Sequence, residues 1–214
     1  TNIANLLSNL GILARYQRDD IEARRLYLES LSIRRTINDR WGISVSLNNL
    51  GIHAMDQGEL GEARTFLEEA VALQREIGDQ YYLANYLNNL GNVARAQGDY
   101  IAAGPLYKES LERNRDLGDG WQIAYVLEDI GGLAALSGQP QRALTLWGAA
   151  AALREQIGAP LAPHELTRLE KFIHTAHAAL ESQQGDTAWQ SGRGMSMDEA
   201  IALALEKSRL SPTP

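Results

Sequence analysis

Apolar residues recur three and four positions apart along this chain, in stretches that stop and resume at regular intervals. That spacing puts them on one face of an α-helix. The stretches come in pairs, and the pairs repeat in a register of 40 residues. Leu7, Leu47, Leu87 and Leu127 correspond, then Leu10, Leu50, Leu90 and Ile130, then Gly11, Gly51, Gly91 and Gly131. Two further small positions follow: Ala14, Ala54, Ala94 and Ala134, and then Ala23, Ala63, Ala103 and Ala143. Leu26, Phe66, Leu106 and Leu146 come next, and Ile37, Ile77, Leu117 and Ile157 close each unit.

The breaks predict turns. In "QGEL" (57–60) and "QGDY" (97–100) a glycine stands where a left-handed helix end is wanted, and the acid after it can cap the next helix. "SGQP" places Pro140 at a helix's first turn, where its missing N–H does no harm. "GDQYY" (78–82) and "GDGWQ" (118–122) repeat the device between units, with Asp79 and Asp119 as the caps. Arg18 and Asn38 stand where the other units carry glycine, which predicts looser or slightly strained turns at those two places. The recurring "LNNLG" holds a glycine inside a helix, at a cost of ~1 kcal/mol relative to Ala. Close approach of two helices is the expected compensation, with Gly11 and Ala14 facing Ala23.

This spacing resembles the tetratricopeptide repeat. In the third unit the resemblance is carried by Leu90–Gly91, Ala94, Gly98, Ala103, Tyr107 and Ser110. The period departs from the usual ~34 residues, so each helix should be longer by most of a turn. The family's first-helix tryptophan is replaced by Leu, and its closing proline is absent. The resemblance implies an all-α, right-handed superhelix of helical hairpins. Four repeats are expected, at 1–40, 41–80, 81–120 and 121–160, followed by C-terminal capping helices at 161–214.

After "QIGAP" the register fails, and Pro160 and Pro163 interrupt. Residues 164–181 still read as a helix with Leu166, Leu169, Phe172, Ile173, Ala176 and Leu180 on one face. A short helix around Trp189 follows, and then a capping box of Ser196 with Glu199 ahead of a helix carrying Ile201 and Leu205. A stack ends in an atypical unit, and this segment fits that role. Its wording, "LWGAAAALREQIGAPLAPHEL" (146–166) and "AWQSGRGMSMDEAIALALE" (188–206), looks like the end of helical arrays in bacterial multidomain signalling proteins. Those are predicted ATPases of the STAND kind, LuxR-like transcription regulators and some nucleotide cyclases. That likeness implies ATP-binding and output domains outside these residues.

Composition narrows the function. Hydrophobic residues at 44% and charged residues at 22% fit a folded chain. The absence of cysteine removes disulfides and thiolate metal sites, and fits a cytoplasmic location. No apolar run nears the ~20 residues that span a bilayer, so no membrane role is expected. A net charge of −7 opposes direct nucleic-acid binding. The charge is uneven: residues 1–40 carry seven Arg against five acids, and 41–80 carry two Arg against seven acids. Neighbouring units of opposite sign should attract one another.

No catalytic or cofactor site emerges. No glycine precedes Lys-Ser or Lys-Thr, so a phosphate-binding loop is missing. His174 and His177 share a helical face that can seat a metal, but they have no obvious third ligand beyond His164 or Glu170, and solvated surface is the simpler reading. Trp41, Tyr81 and Trp121 recur at the start of each first helix, where packing on the preceding unit is expected rather than base stacking. Adjacent acids such as Glu68–Glu69 and Glu128–Asp129 point in different directions on a helix.

The remaining candidate is a surface. In tetratricopeptide folds the first helices line a concave groove, and the resemblance carries the ligand-facing positions onto residues here. Among them are Asn5 and Arg15; Asn48 and Met55; Asn85, Asn88, Asn92 and Arg95; and Tyr125 and Glu128. The ladder Asn9, Asn49, Asn89 and Asp129 lies beside them. Amide side chains both donate and accept, which suits the backbone of an extended peptide; alternatively these asparagines bridge neighbouring helices. The lysines that clamp a terminal carboxylate in chaperone-binding relatives are missing. The expected function is a non-catalytic protein- or peptide-binding sensor module. The alternative is small-molecule inducer sensing, with a pocket near Met55, Arg95 and Tyr125. Ile3, Leu6, Leu7 and Leu10 follow the interior pattern with nothing before them, which predicts a fragment of a longer array and a possible homodimer through the N-terminal hairpin.

Overall fold

The computed structural model describes residues 2–206; Thr1 and residues 207–214, the tail of the expected cap, lie outside the described residues. Among the described residues the regular structure is entirely helical. The helices are α1 (Asn2–Tyr16), α2 (Asp20–Thr36), α3 (Arg40–Asp56), α4 (Leu60–Ile77), α5 (Gln80–Ala96), α6 (Tyr100–Leu117), α7 (Gly120–Leu136), α8 (Pro140–Ile157), α9 (Pro163–Ala178), α10 (Ser182–Arg193) and α11 (Met197–Leu205). Two compact units divide the chain, Thr1–Gly98 with α1 to α5 and Asp99–Pro214 with α6 to α11.

The turns follow the predicted chemistry. Asp19, Asp39, Asp79, Asp99 and Asp119 each accept a backbone N–H of the helix that follows. Glu59 occupies the same place but makes no such bond, contrary to the expectation that either acid would cap. Its extra methylene carries the carboxylate outward, where Arg24 binds it at 3.1 Å. The turn glycines adopt positive φ, and at the two turns lacking glycine Arg18 (φ 61°) and Asn38 (φ 53°) take the same left-handed conformation. That is the predicted strain.

In the first unit, α1–α2 and α3–α4 pack as hairpins, α2 lies on α3, and α4 lies on α5. Leu47, Leu67, Ala23 and Ala63 are fully buried. The helix-interior glycines work differently from the expectation. A Cβ on Gly11 would sit 2.7 Å from the Tyr27 ring, and one on Gly51 would sit 2.6 Å from Leu67. The glycine chiefly clears space for a large side chain of the second helix; the expected close approach at the small position is seen at Gly51, where an added Cβ would also lie 3.3 Å from the Ala63 carbonyl. The uneven charge does bridge hairpins: Arg15 meets Asp56 at 3.3 Å, Arg24 meets Glu62 at 2.7 Å and Arg35 meets Glu69 at 2.9 Å.

In the second unit α7–α8 repeats the hairpin, with a Cβ on Gly131 falling 2.6 Å from Trp147, whose indole N–H donates to the Glu128 carbonyl at 2.9 Å. Backbone-to-backbone approach occurs here instead, between α8 and α10. A Cβ on Gly148 would collide with the Trp189 carbonyl, and one on Gly192 with the Thr145 carbonyl. The short helix expected around Trp189 is α10, whose Trp189–Arg193 end lies close against Thr145–Ala149 of α8. On α9, Leu169, Ile173 and Ala176 pack against Leu144 and Trp147 with Ala188 of α10. Leu166 and Phe172 are exposed, contrary to their predicted place on the buried face. The Ser196–Glu199 capping box forms as predicted and opens α11. Arg142 holds the other end of α11 by donating to the carbonyls of Leu203, Ala204 and Glu206.

Candidate interaction surface

The first helices α1, α3 and α5 supply the candidate positions of the first unit. Asn89 donates to Asn48 Oδ1 at 2.9 Å and to Asn85 Oδ1 at 3.2 Å, so one amide joins α3 to α5. Asn48 and Asn88 are buried, while Asn49, Asn85, Asn89 and Met55 are half-buried. On the next turn of α5, Arg95 donates to Asn92 Oδ1 at 2.9 Å, and both remain partly open to solvent. On α1, Asn9 is exposed and Arg15 is bound to Asp56, whereas Asn5 accepts from Arg34 at 2.7 Å. The asparagines thus divide. The Asn48–Asn85–Asn89 set ties helices together, and the Asn92–Arg95 pair is bonded within α5 and partly exposed.

Arg34 marks a feature that the apolar pattern hid. It is buried on α2, donates to the Gly42 carbonyl as well as to Asn5, and burial pulls its pKa below the usual arginine range. The same register position is Gln74, Asn114 and Arg154 in the other second helices, and all are buried. Gln74 donates to Ser44 at 2.7 Å. A polar residue recurring every 40 positions was the available signal, obscured because Arg, Gln and Asn look unrelated.

In the second unit Tyr125, Glu128 and Arg154 form one cluster. Arg154 donates two hydrogen bonds to the Glu128 carboxylate, at 2.6 and 2.9 Å, with side chains only 5% and 12% exposed. Burial pushes the Glu128 carboxyl above its usual range, and the Arg154 guanidinium opposes that rise. The Tyr125 ring lies over the guanidinium at 4.1 Å, and its hydroxyl donates to Glu165 at 3.3 Å. Desolvation and the Glu165 charge raise the Tyr125 pKa. Asp129 lies half-buried on the same helix.

The recurrent aromatics are nearly half exposed. Trp41 and Tyr82 of the following hairpin meet edge to face with ring centroids 5.2 Å apart. Trp121 packs on Tyr125 at 4.6 Å. His174 is exposed and His177 lies 4.0 Å from Asp186; among the described residues no group of three metal-ligating side chains converges. No helix among them is long and apolar enough to cross a membrane.

The comparisons with known proteins agree with this geometry. Among solved structures, BtubC (BKLC) from P. vanneervenii is similar at 20% identity and a TM-score of 0.71, covering 97% of this chain and 83% of that one. A putative kinesin light chain from Podosopora anserina, with nearly identical TPR-like repeats, is similar at 17% identity and a TM-score of 0.67, covering 95% of this chain and 97% of that one. At such identities the likeness concerns the fold alone. No curated protein matches the sequence. The tetratricopeptide repeat profile matches residues 2–76, 42–116 and 82–156, three overlapping windows each displaced by one 40-residue register. With paired helices in that register and most of its length matched, the chain belongs to the tetratricopeptide repeat family.

Proposed function

We propose that this chain is a non-catalytic interaction module that binds a protein or peptide segment on the face of its first helices. The observation that carries the reading is the Asn92–Arg95 pair on α5, hydrogen-bonded to each other at 2.9 Å and partly open to solvent on the face of the first helices. Amide and guanidinium groups side by side suit the carbonyl-rich backbone of an extended segment. The likeness of residues 146–166 and 188–206 to the ends of helical arrays in bacterial multidomain signalling proteins supports a role in a signalling or transcription-regulatory protein of that kind, in which attached ATPase or output domains act on the binding event. The lack of cysteine suits a cytoplasmic location. Asn5, Arg15 and Asn48 serve this surface indirectly, by fixing the helices that present it.

The test is capture of partners by the wild-type chain and by an Asn92→Ala, Arg95→Ala double variant, compared by mass spectrometry. The variant should lose its partners with a stability change of about 0.5 kcal/mol or less, as for exposed substitutions. Retention of the same partners would remove this surface from the reading. Self-association through the first hairpin is a separate question, decided by light scattering across concentration: a mass that rises with concentration and returns to the monomer value in Leu6→Lys carries it.

A further inference from the structure

The buried polar position of the second helices carries an arginine twice, and the two arginines are satisfied differently. In α8 the guanidinium of Arg154 turns the edge formed by Nε and Nη2 to Glu128, whose two carboxylate oxygens accept at 2.6 and 2.9 Å. Its remaining nitrogen, Nη1, donates to the Ala159 carbonyl. Arg34 of α2 stands three registers of 40 earlier and is as deeply buried, 2% exposed against 4%. Its Nη1 likewise donates to a backbone carbonyl, that of Gly42. The Nε–Nη2 edge is where the two part. Nη2 of Arg34 donates to Asn5 Oδ1 at 2.7 Å, and the buried Nε has no hydrogen-bond partner among the described residues.

The register supplies the cause. Ser8 occupies the place of Glu128, and its hydroxyl lies 2.9 Å from that of Ser30. Asp39 is the acid whose charge acts on Arg34, but its carboxylate accepts from the Gly42 N–H at 2.9 Å. A buried guanidinium with half of its donor edge unmet is costly. The hydrogen bonds of this position run to its own first helix and to the chain just beyond its hairpin: Arg34 to Asn5 and Gly42, Gln74 to Ser44, Arg154 to Glu128 and Ala159. None runs to an earlier hairpin, so the group that would complete Arg34 approaches from the face of the first helices. Asn5 stands between Arg34 and that face. Val45 and Asn85, in the register of Asn5, are partly open to solvent with a hairpin of the same unit before them.

We infer that the Nε–Nη2 edge of Arg34 is a carboxylate subsite, filled by an aspartate or glutamate side chain of the bound segment. That side chain displaces the Asn5 amide and takes both N–H groups, as Glu128 does on Arg154. A fork-to-carboxylate pair in so dry a place is strong and selective in geometry. The glutamine isostere answers with one carbonyl oxygen and no charge. The inference rests on the first-helix face as a binding surface, but not on Asn92 or Arg95.

The probe is the capped peptide acetyl-Ala-Ala-Glu-Ala-Ala-amide, added to the isotope-labelled full chain while the arginine Nε–H signals are followed by NMR. The signal absent from Arg34→Lys is that of Arg34. The Glu peptide should move it saturably, with a Kd on the order of millimolar, and the Gln peptide should bind about ten-fold more weakly or less. Asn5→Asp sets a carboxylate on the edge with almost no change of shape. It should abolish the response, with circular dichroism and melting showing a fold as stable as wild type or more so. Asn92→Ala with Arg95→Ala should leave the Arg34 response in place, so failure of that pair and failure of this subsite are read separately. An unmoved Arg34 signal, an equal response to the Gln peptide, or a response that survives Asn5→Asp overturns the inference. A larger shift with acetyl-pentaalanine, whose one carboxylate is its terminus, overturns the assignment to a side chain.

Discussion

At the scale of single residues, glycines in the same helical environment have opposite expected effects on stability. Gly131 faces Trp147, whose indole is buried and fixed by its bond to the Glu128 carbonyl. Gly131→Ala should therefore cost ~1–3 kcal/mol by overpacking, as read by urea denaturation; a gain would mean that helix propensity outweighs the contact. Gly61 has open space around its Cβ position, so Gly61→Ala should stabilise by ~0.4–1 kcal/mol in the same assay. Arg18, held at φ 61°, should gain about 1 kcal/mol on replacement by glycine. The strain at Arg18 was legible in the sequence because the turn position is defined by glycine in the other units. The Tyr27 and Trp147 contacts were not. Comparison of repeats shows that a position is small, but not which side chain fills the space above it.

At the scale of helices and their contacts, the buried Glu128–Arg154 pair joins α7 to α8 and is expected to respond as a unit. Arg154→Met alone leaves a buried carboxylate without its partner and should cost ~3–5 kcal/mol. The Glu128→Leu, Arg154→Met double variant should recover most of that loss in a denaturation cycle, and failure to recover would give the pair a role beyond mutual neutralisation. Helix boundaries were legible because aspartate, glycine and proline announce them. The buried polar position of the second helices escaped notice because Arg34, Gln74, Asn114 and Arg154 share burial but not chemistry. Which side of α9 is covered also escaped. Leu166 and Phe172 fit the apolar face of α9 by spacing, yet α8 and α10 cover only the side carrying Leu169, Ile173 and Ala176.

For the molecule as a whole, charge asymmetry along the sequence becomes attraction between stacked hairpins. Arg24 holds the Glu62 carboxyl below its usual range, chiefly through their hydrogen bond. A depressed carboxylate adds stability that is fully present above its unfolded value of 4.5 and is lost as pH falls through the folded one. Melts from about pH 6 to about pH 3 should therefore show a smaller acid-induced loss for Arg24→Ala than for wild type, and equal losses would assign the pair no share. The seating of α9 on Leu144 and Trp147 bears on aggregation. Head-to-tail contacts between identical chains propagate into open filaments unless something ends them. The side of α8 that carries Leu144 and Trp147 is already covered by Leu169, Ile173 and Ala176 of α9. A second copy therefore finds that side of α8 occupied, and α8 should not propagate a head-to-tail stack of the kind that grows into fibres.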